Sequence, residues 1–599
     1  MDEHRIPPLR AGRRAAGAAL LGWLRDPRAP RLCRVSGSPG SGRTHLLAWL
    51  IAGATAPDTP MERRVNAFLP ADGYGVRAAV WQLEQQLDVP ARTPGDLLDR
   101  LAADPRRTVI CVPELDKALD PARLVAELLD PLLGLPHVRL VVEATPELAF
   151  TAVTGPAELD LDDPRWTDRE RWDAWCEHEG HDPTGYPNPG RALGTAEPPA
   201  PPAFADLLAR VPLGADGGPD LPAAGTELLT GLWAAAARAG ELGPLAADPL
   251  LYVLAEPVAV TAALESAAPG TAPAALDAAW QAVGPALIDT PEPAVRAHQL
   301  RARLLGTDPA DPAVAVAAAL AADRLGTAPG RWAARWARHS PGAAATAPGA
   351  GPYLGQWLLA DAGGAVHALS PADGTVLGRI AVPGPKPLRA LAATPGGSIV
   401  LLDVWGGLEL VTPGPTGPGL DPYALDEALA RLRAAVGGEP AVLAAAPGLP
   451  GAAPALGDSG GGVHWYQDGA VLSEKLHTGP VTALAAGAVG ADQTGPGAPL
   501  LASGGLDGAV RLWGPGSEPM PEPAERRPCP VTALALGTGP SGLLLATAWS
   551  DGLIRVRRPE QPDSVLDLRL GSPADGLSLA GDVLLVGLDE GPLAVDLKG

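Results

Sequence analysis

The chain has 599 residues, with 46 Lys and Arg against 68 Asp and Glu, giving a formal net charge of −22. That length exceeds a single core and predicts about two to four domains, and the acidity, with no Lys/Arg run, argues against nucleic acid as a partner. Cys33, Cys111, Cys176 and Cys529 lack metal-ligand spacing and no apolar run reaches membrane-span length, so a reduced, cytoplasmic setting with no membrane span is expected.

Residues 1–165 alternate helix-like and strand-like stretches, as an α/β sheet requires. Gly12–Leu24 (GRRAAGAALLGWL) imitates a twin-arginine export signal, but a strand follows within a few residues, so it reads as a packed helix. Leu32–Ser36 and Arg64–Leu69 read as strands, and Thr44–Ala52 and Val76–Leu87 as helices. TVICV (Thr108–Val112) and VRLVV (Val138–Val142) are buried-strand runs of the parallel type. Residues 166–225 read as a Pro/Gly-rich linker or mobile loop, 226–340 as an Ala-rich helical domain, and 341–352 as a second hinge.

The last 250 or so residues repeat. Six segments share an Asp, a glycine turn and alternating apolar residues, beginning at Asp361, Asp403, Asp458, Asp507, Asp551 and Asp589. Their first apolar positions, Val366, Leu408, Val463, Val510, Ile554 and Leu593, are separated by 42, 55, 47, 44 and 39 residues. The longest interval also holds a helical stretch, Ala424–Ala435, and PVTALA recurs at Pro480 and Pro530. Each unit fits a small antiparallel sheet that must stack on neighbours, so residues 353–599 read as a propeller of about six blades. A β-sandwich or solenoid is the alternative for the same repeats. How a ring would close is not legible in the repeats themselves.

Gly37-Ser38-Pro39-Gly40-Ser41-Gly42-Arg43-Thr44 fits the phosphate-loop pattern except that arginine stands where lysine is expected. Its glycines let backbone N–H groups turn inward on a phosphate, and the helix behind presents its N-terminus to the anion. Thr44 is the expected Mg²⁺ ligand. Guanidinium is larger than ammonium, planar and bidentate, so Arg43 is no equivalent of that lysine.

SGGLDGAVRLW (Ser503–Trp513) closely resembles the end of a WD-repeat blade. With the loop above and the strand TVICVPELDKALD (Thr108–Asp120), the chain resembles signalling P-loop NTPases of the STAND class, specifically NACHT-like proteins with C-terminal WD-type propellers. The resemblance implies a fold of an α/β P-loop NTPase domain, an α-helical middle domain and an all-β propeller. It also implies a nucleotide-controlled switch whose propeller docks a protein partner, with oligomerisation left open. Gly12 and Arg13 resemble the short box lying near the nucleotide base, and LDLDDPRW (Leu159–Trp166) and Asp248–Val260 resemble further elements.

Against the family pattern, Pro113 stands for the magnesium-side aspartate, Lys117 for the water-polarising glutamate and Thr145 for the sensor arginine. Asp116 remains, with Glu114 one residue out of register; these are the candidate catalytic residues, and Asp116 joins Thr44 as a Mg²⁺ ligand. The departures fall on the turnover machinery, which argues against efficient hydrolysis. The expected cofactor is ATP or ADP, with GTP as an alternative, held by Gly37 to Thr44. A slow Mg²⁺-dependent ATPase and a scaffold with a vestigial loop remain as rivals.

Other polar groups read as structural. Asp162-Asp163 before Pro164 caps a turn. Trp166, Trp172 and Trp175 form a packing face, and Cys176, His178 and His181 do not make a metal site. Gly457–Gly461 is a blade turn rather than a protease serine loop.

Overall fold

The computed structural model describes residues 9–55, 59–194, 201–215, 217–306, 311–326, 332–340, 342–414, 419–446, 448–449, 451–490, 497–539 and 542–597. They divide into two compact units, Met1–Ala272 and Pro273–Gly599.

In the first unit the apolar runs form one parallel sheet. β1 (Leu32–Ser36), β2 (Ala67–Phe68), β3 (Thr108–Val112), β4 (Val138–Glu143) and β5 (Ala157–Asp160) take the order β2-β3-β4-β1-β5. β1, β3 and β4 are buried along their whole length, which is why their sequences run apolar instead of alternating. On one face α1 (Arg14–Arg25) and α2 (Arg43–Ala54) bring Leu20, Leu24, Leu46 and Leu50 onto Val35, Val109 and Val141. GRRAAGAALLGWL is thus a core helix, as expected. α3 (Val76–Leu87) packs beside β2. The order sets β4 between β1 and β3, so the loop after β1 and the C-terminal ends of β3 and β4 converge on one sheet edge, the usual ligand position in open α/β sheets.

The structure corrects the expected linker at 166–225. Its first part folds: α4 (Arg169–Glu179) buries Trp172 and Cys176 against Ala11 and Ala192. Sequence reading treats its prolines as breakers, whereas several stand just inside helix starts. Asp182 and Asn188 accept the N–H of Thr184 and Arg191, with Pro183 and Pro189 as the first residues of their turns. An Asx cap followed by proline starts a helical turn. Positions 195–200 and 216 of that stretch lie outside the described residues.

The expected helical domain 226–340 is also divided. α5 (Thr226–Ala239) and α6 (Pro257–Ser266) pack together in the first unit, where the Glu265 carboxylate accepts the Arg77 N–H at 2.7 Å. α7 (Ala274–Ile288) and α8 (Pro293–Leu304) belong to the second unit. There buried Arg303 donates to Leu570 O, Ser572 Oγ and Glu590 Oε2 at 2.6, 2.8 and 2.9 Å.

The remainder is a propeller of six blades. β6 (Trp332–Ala337), inside the expected helical domain, is a strand of the last blade. Blade 1 is β7 (Ala343–Pro348), β8 (Trp357–Asp361), β9 (Val366–Leu369) and β10 (Val376–Ile380). Blade 2 is β11 (Leu388–Ala393), β12 (Ile399–Asp403) and β13 (Leu408–Val411). α9 (Pro422–Ala435) follows, then blade 3: β14 (Pro440–Ala444), β15 (Ala455–Asp458), β16 (Gly462–Gln467) and β17 (Ala470–Lys475). Blade 4 is β18 (Val481–Val489), β19 (Ala498–Gly505), β20 (Ala509–Trp513) and β21 (Glu525–Arg526). Blade 5 is β22 (Val531–Gly539), β23 (Gly542–Trp549), β24 (Leu553–Arg558) and β25 (Gln561–Arg569). Blade 6 is β26 (Gly576–Ala580), β27 (Val583–Leu588), β28 (Gly591–Leu597) and β6.

The six apolar positions picked from the repeats all lie in the third strand of their blade. Ring closure comes from outside the repeats: β6 pairs antiparallel with β28, Trp336 opposite Ala594, and β26 lies beside β7. The expected hinge at 341–352 is therefore largely β7, an inner strand whose alanines suit the narrow axis; Pro341 lies outside the described residues. Two axial cavities of about 60 and 50 Å³ have room for a few waters but not for a drug-sized ligand. Among the described residues no helix is long and apolar enough to cross a membrane.

Candidate functional site

The phosphate-loop sequence adopts a turned-in conformation. Gly37, Gly40 and Gly42 have φ of 144°, 81° and 90°, values that L side chains rarely adopt, so the glycine spacing has a backbone cause. Gly42 caps α2 in the left-handed region with no side-chain hydrogen bond. The backbone N–H groups of Gly40, Gly42, Arg43, Thr44 and His45 donate to no acceptor among the described residues. Buried Ser41 Oγ has no partner either. A helix start with unsatisfied amides attracts an anion.

Two other loop donors are taken, Ser41 N–H by Ser38 O at 3.0 Å and Ser38 N–H by Asp162. Ser38 N–H donates to Asp162 Oδ2 at 2.7 Å, and Ser38 Oγ to Asp162 Oδ1 at 2.9 Å. Of the Asp162-Asp163 pair, only Asp163 caps the local turn, through Arg165 N–H; Asp162 holds the loop. Segment 187–190 leans on the loop from another side. Asn188 Nδ2 donates to Ser38 Oγ and Pro39 O at 2.7 and 3.0 Å, and Gly190 N–H to Gly40 O at 2.9 Å. The backbones are so close that a Cβ on Gly190 would lie 2.6 Å from Gly40 Cα.

Gly12 and Arg13, expected near a nucleotide base, tie the loop to its neighbouring segments. Arg13 is 3% exposed and donates to Leu161 O, Thr167 Oγ1, Ser41 O and Pro187 O at 2.7–2.8 Å. Burial draws its pKa down to about 10. Gly12, at φ 76°, accepts Asp168 N–H through its carbonyl. Three backbone carbonyls and one threonine hydroxyl are pinned by one guanidinium, which leaves its Nη atoms engaged by the protein.

Beyond the helix start, the acids cluster around Arg43. Arg43 Nη1 lies 3.2 Å from Asp116 Oδ2, and its Nε 3.4 Å from Glu143 Oε1. Thr44 Oγ1 donates to the same Glu143 oxygen at 3.0 Å, Glu114 N–H to Glu143 Oε2 at 3.1 Å, and Thr145 N–H to Asp116 Oδ1 at 2.9 Å. Burial pushes the Glu143 carboxyl up, against the pull of those donors and of Arg43. Glu114 turns away, its Oε1 2.6 Å from Lys117 Nζ. Asp116, Arg43, Thr44 and Thr145 are thus brought together, and Glu114 is drawn out of the cluster by Lys117.

Glu143 was missed by sequence reading. Its signal was a carboxylate ending a strand of continuous apolar residues, VRLVVE, on the sheet edge that carries the loop.

These residues fit a magnesium-bound polyphosphate. Five amides at the helix start have no acceptor among the described residues, and Thr44, Asp116 and Glu143 offer the oxygen ligands that a hard cation takes. No family model and no curated protein matches the chain. Among solved structures, a computationally designed protein, Ika8, is similar over 43% of this chain and 98% of its own, at 13% identity and a TM-score of 0.27.

Proposed function

We propose that this chain is a nucleotide-binding scaffold of STAND type, a pseudo-ATPase whose loop binds ATP or ADP and whose propeller docks a protein partner. The observation that carries it is the contrast at α2. Five backbone donors around Gly42 have no partner among the described residues, while the side chains needed for turnover are occupied with one another.

The amides from Gly40 to His45 would take the phosphate oxygens, and Thr44 with Asp116 or Glu143 would hold Mg²⁺. When bound, the metal supplies charge neutralisation on those oxygens. Arg43 is then free to trade its carboxylate partners for a phosphate. Glu143, buried among its donors, is the candidate to orient a water. Binding biases a conformational equilibrium only through different affinity for the two states.

Titration of the purified chain with ATP, ADP and GTP, with and without Mg²⁺, tests this by calorimetry and melting. Ligand at a hundred times its Kd should add about 2.7 kcal/mol of stability. No shift at saturation for any nucleotide would leave the scaffold with a vestigial loop. That second reading draws on Ser38 N–H being held by Asp162 and on Gly190 seated against Gly40. Mg²⁺-dependent phosphate release abolished in both Thr44→Ala and Glu143→Gln would instead make the chain a slow ATPase.

A further inference from the structure

Five blades have four strands, but blade 2 has three among the described residues, ending at β13. The β12–β13 hairpin closes with Asp403 N–H donating to Gly407 O at 3.0 Å. Antiparallel pairs alternate, so with Leu401 opposite Glu409 and Ile399 opposite Val411, those are the next hydrogen-bonded pairs. The N–H and C=O groups of Leu408 and Leu410 therefore point away from β12, and no partner for them occurs among the described residues. That is an open sheet edge, the feature that strand addition uses.

α9 follows β13 where other blades continue into a fourth strand, and it replaces only part of what that strand provides. Its Leu425, Leu429 and Leu432 pack with Val400, Leu402, Leu443 and Tyr466, and Leu408 and Leu410 rest their side chains on the same cluster. A helix uses its N–H and C=O groups internally, so it cannot pair the edge. The fold already completes a blade with a strand from elsewhere in the chain, since β6 serves blade 6.

The edge's turn gives the chemistry of the occupant. Trp405, at the β12–β13 turn, is 70% exposed, and Val404 beside it is 37% exposed. Two exposed cations adjoin them: Arg389 donates to Val404 O at 2.9 Å, and Lys386 Nζ lies 3.8 Å from Asp403. The Asp403 carboxylate is occupied by the turn N–H groups of Trp405 and Gly407.

We propose that the open edge of β13, with Trp405 at its turn, docks an extended segment of a partner protein, added antiparallel as the fourth strand of blade 2. The segment carries an apolar side chain for Trp405 and a carboxylate for Arg389 and Lys386. This rests on the propeller's docking role given above and locates it.

Amide hydrogen exchange on the full chain reads the edge directly. In the free protein the Leu408 and Leu410 amides should exchange fast while Glu409 is protected. A synthetic peptide copying Gln561–Arg569 (QPDSVLDLR), the chain's own acidic outermost strand, is the probe. It should bind saturably and slow Leu408 and Leu410 about tenfold, and Trp405→Ala should weaken it about tenfold. The same peptide N-methylated at alternate residues should not bind.

Three results would overturn the proposal. One is protection of both amides in the dilute free chain, meaning the edge is already covered. Another is protection that rises with protein concentration alone, meaning a second copy is the occupant. The last is equal binding, or equal failure, of the plain and N-methylated peptides. Nucleotide titration is a separate measurement, so failure here leaves the phosphate-loop reading untouched. A partner still bound by a Leu410→Pro variant, whose lost N–H is the outward one, would keep propeller docking while rejecting this edge.

Discussion

Arg43 Nη1 lies 3.2 Å from Asp116 Oδ2, so the cation of the phosphate loop is engaged by a carboxylate from the turn after β3. Side chains 17% and 26% exposed make this a partly screened pair, one that a ligand can exchange without a large penalty. Replacing Asp116 by Asn should leave Arg43 held by Glu143 alone and remove a negative charge beside the loop. We expect ADP affinity in EDTA to rise about fivefold, and the gain to vanish or reverse with Mg²⁺, for which Asp116 is a ligand. Paired calorimetric titrations check both arms; equal affinities throughout would separate Asp116 from the site.

Arg13 donates to three backbone carbonyls and the Thr167 hydroxyl around the loop from a buried position. An Arg13→Met variant keeps much of the volume and strands those acceptors, so it should cost the first unit about 3 kcal/mol. Urea unfolding followed by α/β-unit tryptophans is the measurement. A loss below about 1 kcal/mol would mean water replaces the guanidinium.

Trp336 joins the two ends of the ring. It stands on β6, donates from Nε1 to Pro371 O at 3.0 Å, and meets Trp357 of blade 1 at 6.0 Å between ring centroids. Trp336→Ala should destabilise the propeller by about 3–5 kcal/mol. It should also unzip β6 first, seen as faster amide exchange from Trp332 to Ala337 than in blade 4.

His477 predicts the propeller's acid sensitivity. It is buried between Asp507 Oδ1 and Ser503 Oγ, each 3.0 Å away. Burial lowers its pKa below the usual 6.5, outweighing the opposing pull of Asp507. The unfolded chain then binds a proton first as pH falls, so stability is full above the unfolded value and declines below it. Melting temperature should drop from about pH 7 to about pH 5, and a His477→Gln variant should show a flatter profile. At lower pH, Asp507 adds a second loss. Burial raises its pKa, but the hydrogen bonds from His477 and the Ala509 N–H prevail and hold it below the ordinary range.

Much of this fold was legible because its signals are local. Val366, Leu408, Val463, Val510, Ile554 and Leu593 announce third strands through the Asp-Gly turn before each. Asp361, Asp403 and Asp458 each bind two turn N–H groups, so the acid is required wherever the hairpin recurs. The helix read at Ala424–Ala435 is present as Pro422–Ala435. Segment 166–194 was misread because proline after Asp or Asn both breaks the preceding element and starts the next one. Glu143 went unnoticed because a single carboxylate at a strand end gains meaning only beside Thr44 and Arg43.

The sequence alone determined where the chain turns, which runs are buried and which glycines permit a cradle, since those depend on a residue and its near neighbours. Only the tertiary structure decided that β6 closes the ring, that Arg13 serves the loop's backbone, that Asp162 holds Ser38, and that Glu143 joins the site. Each of those is a pairing between segments tens to hundreds of residues apart. Such contacts follow from which surfaces can pack together, a property that no local pattern carries.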